Sequence, residues 1–199
     1  MIATRAKPID SSEGAPQTYR FSLEQWHGMI AKGFFQNERL EFVEGRILVI
    51  SPVNRPHSSC VKRLNHVFSQ RLGSQAVVSV QDPLLVGEDE LYPDVALLKP
   101  REGFYNDKDA SAEDAFLVVE VSDTTLQYDQ LVKAPKYAAA AILEVWVVDL
   151  GTDKIWVYRE PKDGSYTQIQ AYEPGSSLAI QVLPGVSLTV DEVLGKPGA

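Results

Sequence analysis

The sequence predicts an α/β (α+β) fold: a mixed central β-sheet flanked by helices, with a C-terminal antiparallel meander. Three observations predict it. The runs Val95–Leu98, Phe116–Val121 and Val145–Leu150 are continuously apolar, as strands buried on both faces must be. Between such runs stand segments with apolar residues at helical spacing, above all Val61, Leu64, Phe68 and Leu72. After residue 153 the pattern changes to polar–apolar alternation broken by turn residues, the habit of a half-solvated antiparallel sheet.

Each element follows in order. Ser22-Leu23-Glu24-Gln25 has the spacing of a capping box, which opens a helix running to about Lys32 and stopping at Gly33. Leu40–Val43 and Arg46–Ile50 read as strands around a tight Glu44-Gly45 turn. Pro52–Pro56 is a loop, and His57–Leu72 a helix with Gly73 as its C-cap. Val77–Val80 and Leu84–Val86 are short strands, and Asp94–Leu98 is the next, with Pro93 at an accepted place before it. Residues 100–114 are polar, a loop with a short helix. Phe116–Val121 is a central strand, and Thr124–Ala141 is helical in pattern, with Pro135 expected to kink it. Val145–Leu150 is another buried strand. Lys154–Arg159, Tyr166–Tyr172 and Ser177–Val182 form the predicted meander, with Asp163-Gly164 as a hairpin turn.

At 199 residues and 44% hydrophobic, the chain suits one substantial core, expected over 19–195 after a disordered tail at 1–18 rich in Ser, Pro and Gly. No apolar stretch approaches the roughly 20 residues of a membrane span. A lone cysteine, Cys60, excludes an internal disulfide framework and a CxxC zinc site, and fits a cytoplasmic setting. Met29 and the three tryptophans read as core. The net charge of −8 argues against a general nucleic-acid binder. The charge is uneven, however. Lys32–Gly73 holds seven basic residues against three acids, a local +4 that is compatible with a DNA-facing surface or an ordinary solvated one.

The candidate chemistry lies in two carboxylates set in apolar runs. Asp94 opens one strand and Glu120 nears the end of another. An ionised carboxylate there is costly unless something cationic compensates it. If the two strands are antiparallel, the start of one meets the end of the other and the acids converge. Asp94, Glu120 and the backbone carbonyl of Val121 would then suit one hard divalent ion. Taken singly, Glu120 could be a solvent-facing strand end and Asp94 a turn acid after Pro93. Lys133, on the following helix, could pair with Asp129 four positions back, or reach the site to orient water and stabilise phosphate charge. Position 122 is Ser122, so the strand itself offers no lysine. Glu41, in an apolar run, could supply an additional metal carboxylate, while His57 reads as a helix cap. No nucleophile elbow or phosphate-cradling glycine loop is present.

Taken together, the chain resembles the Uma-type putative restriction endonucleases, members of the PD-(D/E)XK nuclease superfamily. The matching segments are Leu40-Glu41-Phe42-Val43-Glu44-Gly45, Ser51-Pro52 with His57, Pro93-Asp94-Val95, Val118–Ser122, Asp129–Lys133 with Tyr137, and Glu144–Asp149. The segment Ala138–Leu143 lacks the Gly and Pro commonly expected there, and Pro135 within the helix is unusual. The resemblance implies a restriction-endonuclease-like core and a metal-dependent endodeoxyribonuclease using Mg²⁺ or Mn²⁺, with DNA as partner and no membrane. A homodimer is compatible with it. Asp94 and Glu120 would be the metal-binding acids, Glu41 an additional acid, and Lys133 the family's lysine displaced from strand to helix. The alternative is a nuclease-fold module that binds DNA or a protein without cutting.

Overall fold

Two-faced burial organises the chain around its apolar runs. The computed structural model describes residues 17–50 and 53–196. The expected tail at 1–18, apart from its last two residues, and the Ser51-Pro52 motif lie outside the described residues. In chain order the elements are α1 (Leu23–Ala31), β1 (Leu40–Val43), β2 (Arg46–Val49), α2 (Arg55–Leu72), β3 (Val77–Ser79), β4 (Leu84–Val86), β5 (Asp89–Leu91), β6 (Val95–Leu98), β7 (Ala110–Ser111) and β8 (Ala115–Ser122). There follow α3 (Leu126–Tyr128), a π-helical turn (Asp129–Lys133), α4 (Ala134–Ala139), β9 (Glu144–Asp149), β10 (Lys154–Lys162), β11 (Ser165–Tyr172), β12 (Ser177–Ile180), β13 (Leu183–Thr189) and α5 (Val190–Leu194). These elements form two units, one of the residues up to 50 with Gly87–Leu91, the other of Val53–Val86 with the residues from Tyr92 on.

In the first unit the predicted capping box is formed: Ser22 Oγ accepts the Gln25 N–H and the Gln25 side chain accepts the Ser22 N–H. β1 lies between β2 and β5, antiparallel to both, with Phe42 opposite Ile47 and Glu90. Trp26 stacks on Phe42 with ring centroids 5.8 Å apart, and these two with Leu40 make the small core. The β1–β2 turn has positive φ at both Glu44 (51°) and Gly45 (71°), the geometry that suits a right-handed strand twist. A Cβ at Gly45 would lie 2.8 Å from the Phe21 carbonyl oxygen, so glycine is needed there for space as well.

The second unit is built on a six-stranded sheet in the order β11-β10-β9-β8-β6-β3. β8 and β9 are parallel, and every other neighbouring pair is antiparallel. Val95, Leu97, Leu117, Val119, Val121, Trp146 and Val148 share a core with the buried stripe of α2, which is Cys60, Val61, Leu64, Phe68 and Leu72. Each such side chain contributes roughly 1.5–3 kcal/mol by leaving water. Strand alternation sends Val118, Glu120 and Val147 to the opposite face, where the helical segment 126–139 packs. Among the described residues no helix is long and apolar enough to cross a membrane.

Three expectations are corrected. The helix predicted over Thr124–Ala141 is interrupted by the π turn, and Pro135 follows it in the first turn of α4 without ending the helix. A widened turn and a first-turn position both relieve the clash and the missing N–H of proline. Ser177–Val182 does not extend the meander: β12 pairs with β13 in a separate two-stranded sheet, while β9, β10 and β11 form the antiparallel run. Trp156 is half-buried on β10, although Trp26 and Trp146 are in the cores.

Candidate active site

The antiparallel pairing of β6 and β8 sets the site. Val95 lies opposite Val119, so one step further Asp94 comes opposite Glu120 at the end of the rungs. Asp94 is 8% exposed and Glu120 2%. Asp94 Oδ2 accepts the backbone N–H of Val121 at 2.8 Å and lies 3.0 Å from His57 Nε2, while its Oδ1 accepts the Gln81 side-chain amide at 2.9 Å. Burial pushes the pKa of Asp94 up, but His57, Gln81 and the Val121 N–H together outweigh it and hold the carboxyl below its ordinary value. An ionised carboxylate only accepts, so His57 Nε2 carries the proton that faces it. Nδ1 of His57 is buried and has no hydrogen-bond partner among the described residues.

Glu120 is compensated from the next helix. Its Oε1 accepts from Lys133 Nζ at 3.1 Å and from Tyr137 Oη at 2.6 Å. Lys133 is itself 5% exposed, and its ammonium sits over the Tyr128 ring, 5.9 Å from the centroid. The bland alternative of a surface pair with Asp129 is therefore not the arrangement seen. Asp129 is also buried and accepts from Ser122 Oγ and Thr125 Oγ1, both at 2.7 Å. Burial raises its pKa, offset only in part by the charge of Lys133 and by those two hydroxyls.

The loop after β8 is tied to α2 as well. Asn54 caps α2 by accepting the His57 N–H at 3.0 Å, and its amide donates to Asp123. The cap is thus Asn54 and not His57, whose N–H it accepts while the His57 ring holds Asp94.

The structure brings together Asp94, Glu120, Val121 and Lys133 in the second unit. Glu41 belongs to the first, buried on β1. Among the described residues no three or more His, Cys, Asp or Glu side chains are arranged to hold a metal ion. The donor set is of another kind: two carboxylates and one carbonyl. In a strand the N–H and C=O of a residue point to the same edge, so the Val121 carbonyl faces the edge on which its N–H meets Asp94. Such all-oxygen, two-carboxylate sets suit an ion that keeps water and substrate oxygens in its remaining positions, as Mg²⁺ does.

The sequence reading did not identify Gln81 or Tyr137 as site partners, and Asp129 only as a pairing option for Lys133. Other buried acids serve the fold. Glu144 is fully buried and held by Arg159, Trp146 Nε1 and the Gln181 N–H, and Asp149 accepts the N–H groups of Gly151 and Thr152.

The Uma2 family, described as "Putative restriction endonuclease", matches residues 23–191. The chain belongs to this family. The Uma2 match takes in every residue of the site, from His57 to Tyr137, and Glu41 as well. A solved structure of a "putative nuclease belonging to DUF820" from Anabaena variabilis superposes with a TM-score of 0.67 at 16% identity, covering 88% of this chain and 98% of that one. The two share a fold. The type IIG restriction endonuclease BpuSI matches at a TM-score of 0.42 and 19% identity, over 74% of this chain and 17% of that one. No curated protein matches the chain.

Proposed function

We propose that the protein is a metal-dependent endodeoxyribonuclease of the Uma2 family. The observation that carries this reading is the meeting of Asp94 and Glu120 at the β6–β8 end with a buried lysine on Glu120. Two acids alone would repel each other there, and a bound cation would relieve that cost.

Asp94, Glu120 and the Val121 carbonyl would hold Mg²⁺ or Mn²⁺. A bound divalent ion lowers the pKa of water and neutralises developing phosphate charge. The chain's own groups prepare that chemistry. Gln81 and His57 fix the Asp94 carboxylate, and Tyr137 fixes that of Glu120. Lys133 supplies a nearly desolvated positive charge, which is worth most where charge grows in the transition state. DNA is the proposed substrate, and the buried lone Cys60 is compatible with a cytoplasmic location.

A second reading keeps the fold and removes the cutting, and the net charge of −8 is what favours it. Incubation with single-stranded, duplex and branched DNA in Mg²⁺ or Mn²⁺, beside an Asp94→Ala control, separates the two. Cleavage lost in the control supports the enzyme. Retention of DNA without cleavage supports the binding module.

A further inference from the structure

α2 carries four cations, Arg55, Lys62, Arg63 and Arg71, and no acid, in a protein whose net charge is −8. Two of the four are used within the fold. Arg63 donates to the carbonyls of Val193 and Leu194 and to Ser59 Oγ, and Arg71 pairs with Glu192. Arg55 and Lys62 are exposed and have no ion pair among the described residues, and His66 is exposed beside them. On a helix of 3.6 residues per turn, Arg55, Ser59, Lys62 and His66 fall within one narrow stripe, opposite the buried stripe of Cys60, Val61, Leu64 and Phe68. A groove of about 530 Å³ follows it, lined by Ser59, Lys62, Arg63, His66, Glu192 and Lys196. The acid in the groove is already neutralised by Arg71.

The direction of the stripe matters. α2 begins at the candidate site, where His57 meets Asp94 and Asn54 meets Asp123. At about 1.5 Å of rise per residue, Lys62 lies about 7.5 Å and His66 about 13.5 Å along the axis from His57, on the opposite, solvent side of the helix.

We infer that the exposed stripe Arg55–Lys62–His66 is a phosphate track for a DNA strand that runs along the solvent face of α2. The inference rests on the nuclease reading and names where its substrate lies. The track makes no base contact, so it supplies affinity and register without sequence preference. It also explains how an acidic protein can hold a polyanion: the charge is segregated onto one helix.

The test is a salt titration of binding to a fluorescent 20-base-pair duplex by the full chain without divalent metal. It compares wild type, Arg55→Gln/Lys62→Gln, and Lys162→Gln, which removes an exposed lysine from the end of β10. With two phosphate contacts removed, the slope of log affinity against log salt should flatten by about 1.8, and affinity at low salt should fall about tenfold or more. The Lys162→Gln control should move neither, and all three proteins should melt alike. An unchanged slope in the double variant, while wild type still cuts DNA with Mg²⁺, overturns the track and leaves the nuclease standing. If wild type neither binds nor cuts DNA, both fall together. An equal, Lys62-dependent hold on poly-glutamate would overturn the assignment in favour of an acidic protein segment.

Discussion

Lys133 Nζ reaches Glu120 Oε1 at 3.1 Å from a π-helical turn, joining a strand and a helix whose two residues are both about 95% or more buried. A buried ion pair of this kind is weak support for stability, since desolvation offsets most of the attraction. Its place beside Asp94 makes sense as a charge held ready for a phosphate.

Lys133→Met separates those roles. It keeps much of the stem's packing and removes the ammonium. Turnover should fall on the order of a hundredfold or more, as for other single electrostatic stabilisers, with DNA affinity and metal-induced stabilisation little changed. Single-turnover cleavage and binding assays check this. Full activity would remove Lys133 from the chemistry and turn attention to Lys136.

Tyr137→Phe removes the hydroxyl that donates to Glu120 at 2.6 Å. The lost charge-assisted bond should cost roughly 1.5–3 kcal/mol of stability in denaturant unfolding. Activity should fall too, because Glu120 then has one fewer constraint.

Metal should stabilise the folded chain. Mg²⁺ or Mn²⁺ held by Asp94 and Glu120 would bind only the native arrangement, adding about 2.7 kcal/mol at a hundredfold excess over Kd. Thermal melts should rise with metal in wild type and stay flat in Asp94→Ala. Equal rises would take Asp94 out of the site.

The two neighbouring aspartates should give opposite pH signatures. Burial raises the Asp129 pKa above the ordinary 3.8, so the folded state binds its proton more tightly than the unfolded one. That contribution is full below 3.8 and is lost as pH rises through the folded value. Asp94 is held below 3.8, so its contribution is present above that value and lost as pH falls through the folded one. The stability of wild type relative to Asp129→Asn should therefore grow as pH falls from 7 towards 4. Relative to Asp94→Asn it should shrink as pH falls below 3.8. Denaturant titrations across pH measure both.

Much of this was legible in the chain because a carboxylate in an apolar run is an anomaly. Asp94 and Glu120 stood out for that reason, and strand direction alone could bring them together. The stripe of α2 and the Glu44-Gly45 turn were legible because they are local. Partners were not: Gln81 and Tyr137 are ordinary residues in sequence, and only the sheet register and the helix on its far face give them their contacts. The π turn was hidden because its pattern differs from an α-helix by a single residue. β5 is short and reads Asp-Glu-Leu, and β13 contains Pro and Gly, so neither shows a strand period. The third meander strand failed because alternation specifies a strand but not its neighbour.

The most direct measurement is cleavage of duplex DNA by Glu120→Gln at saturating Mg²⁺. The amide keeps the shape and an acceptor for Tyr137 and removes the charge that would hold the ion. Wild type should cut, and the variant should lose on the order of a hundredfold or more in rate, compared at a temperature where both are folded because the Lys133 ammonium is left buried without its counter-charge. Cleavage by the variant at the wild-type rate, with the same Mg²⁺ dependence, would contradict the assignment of this site.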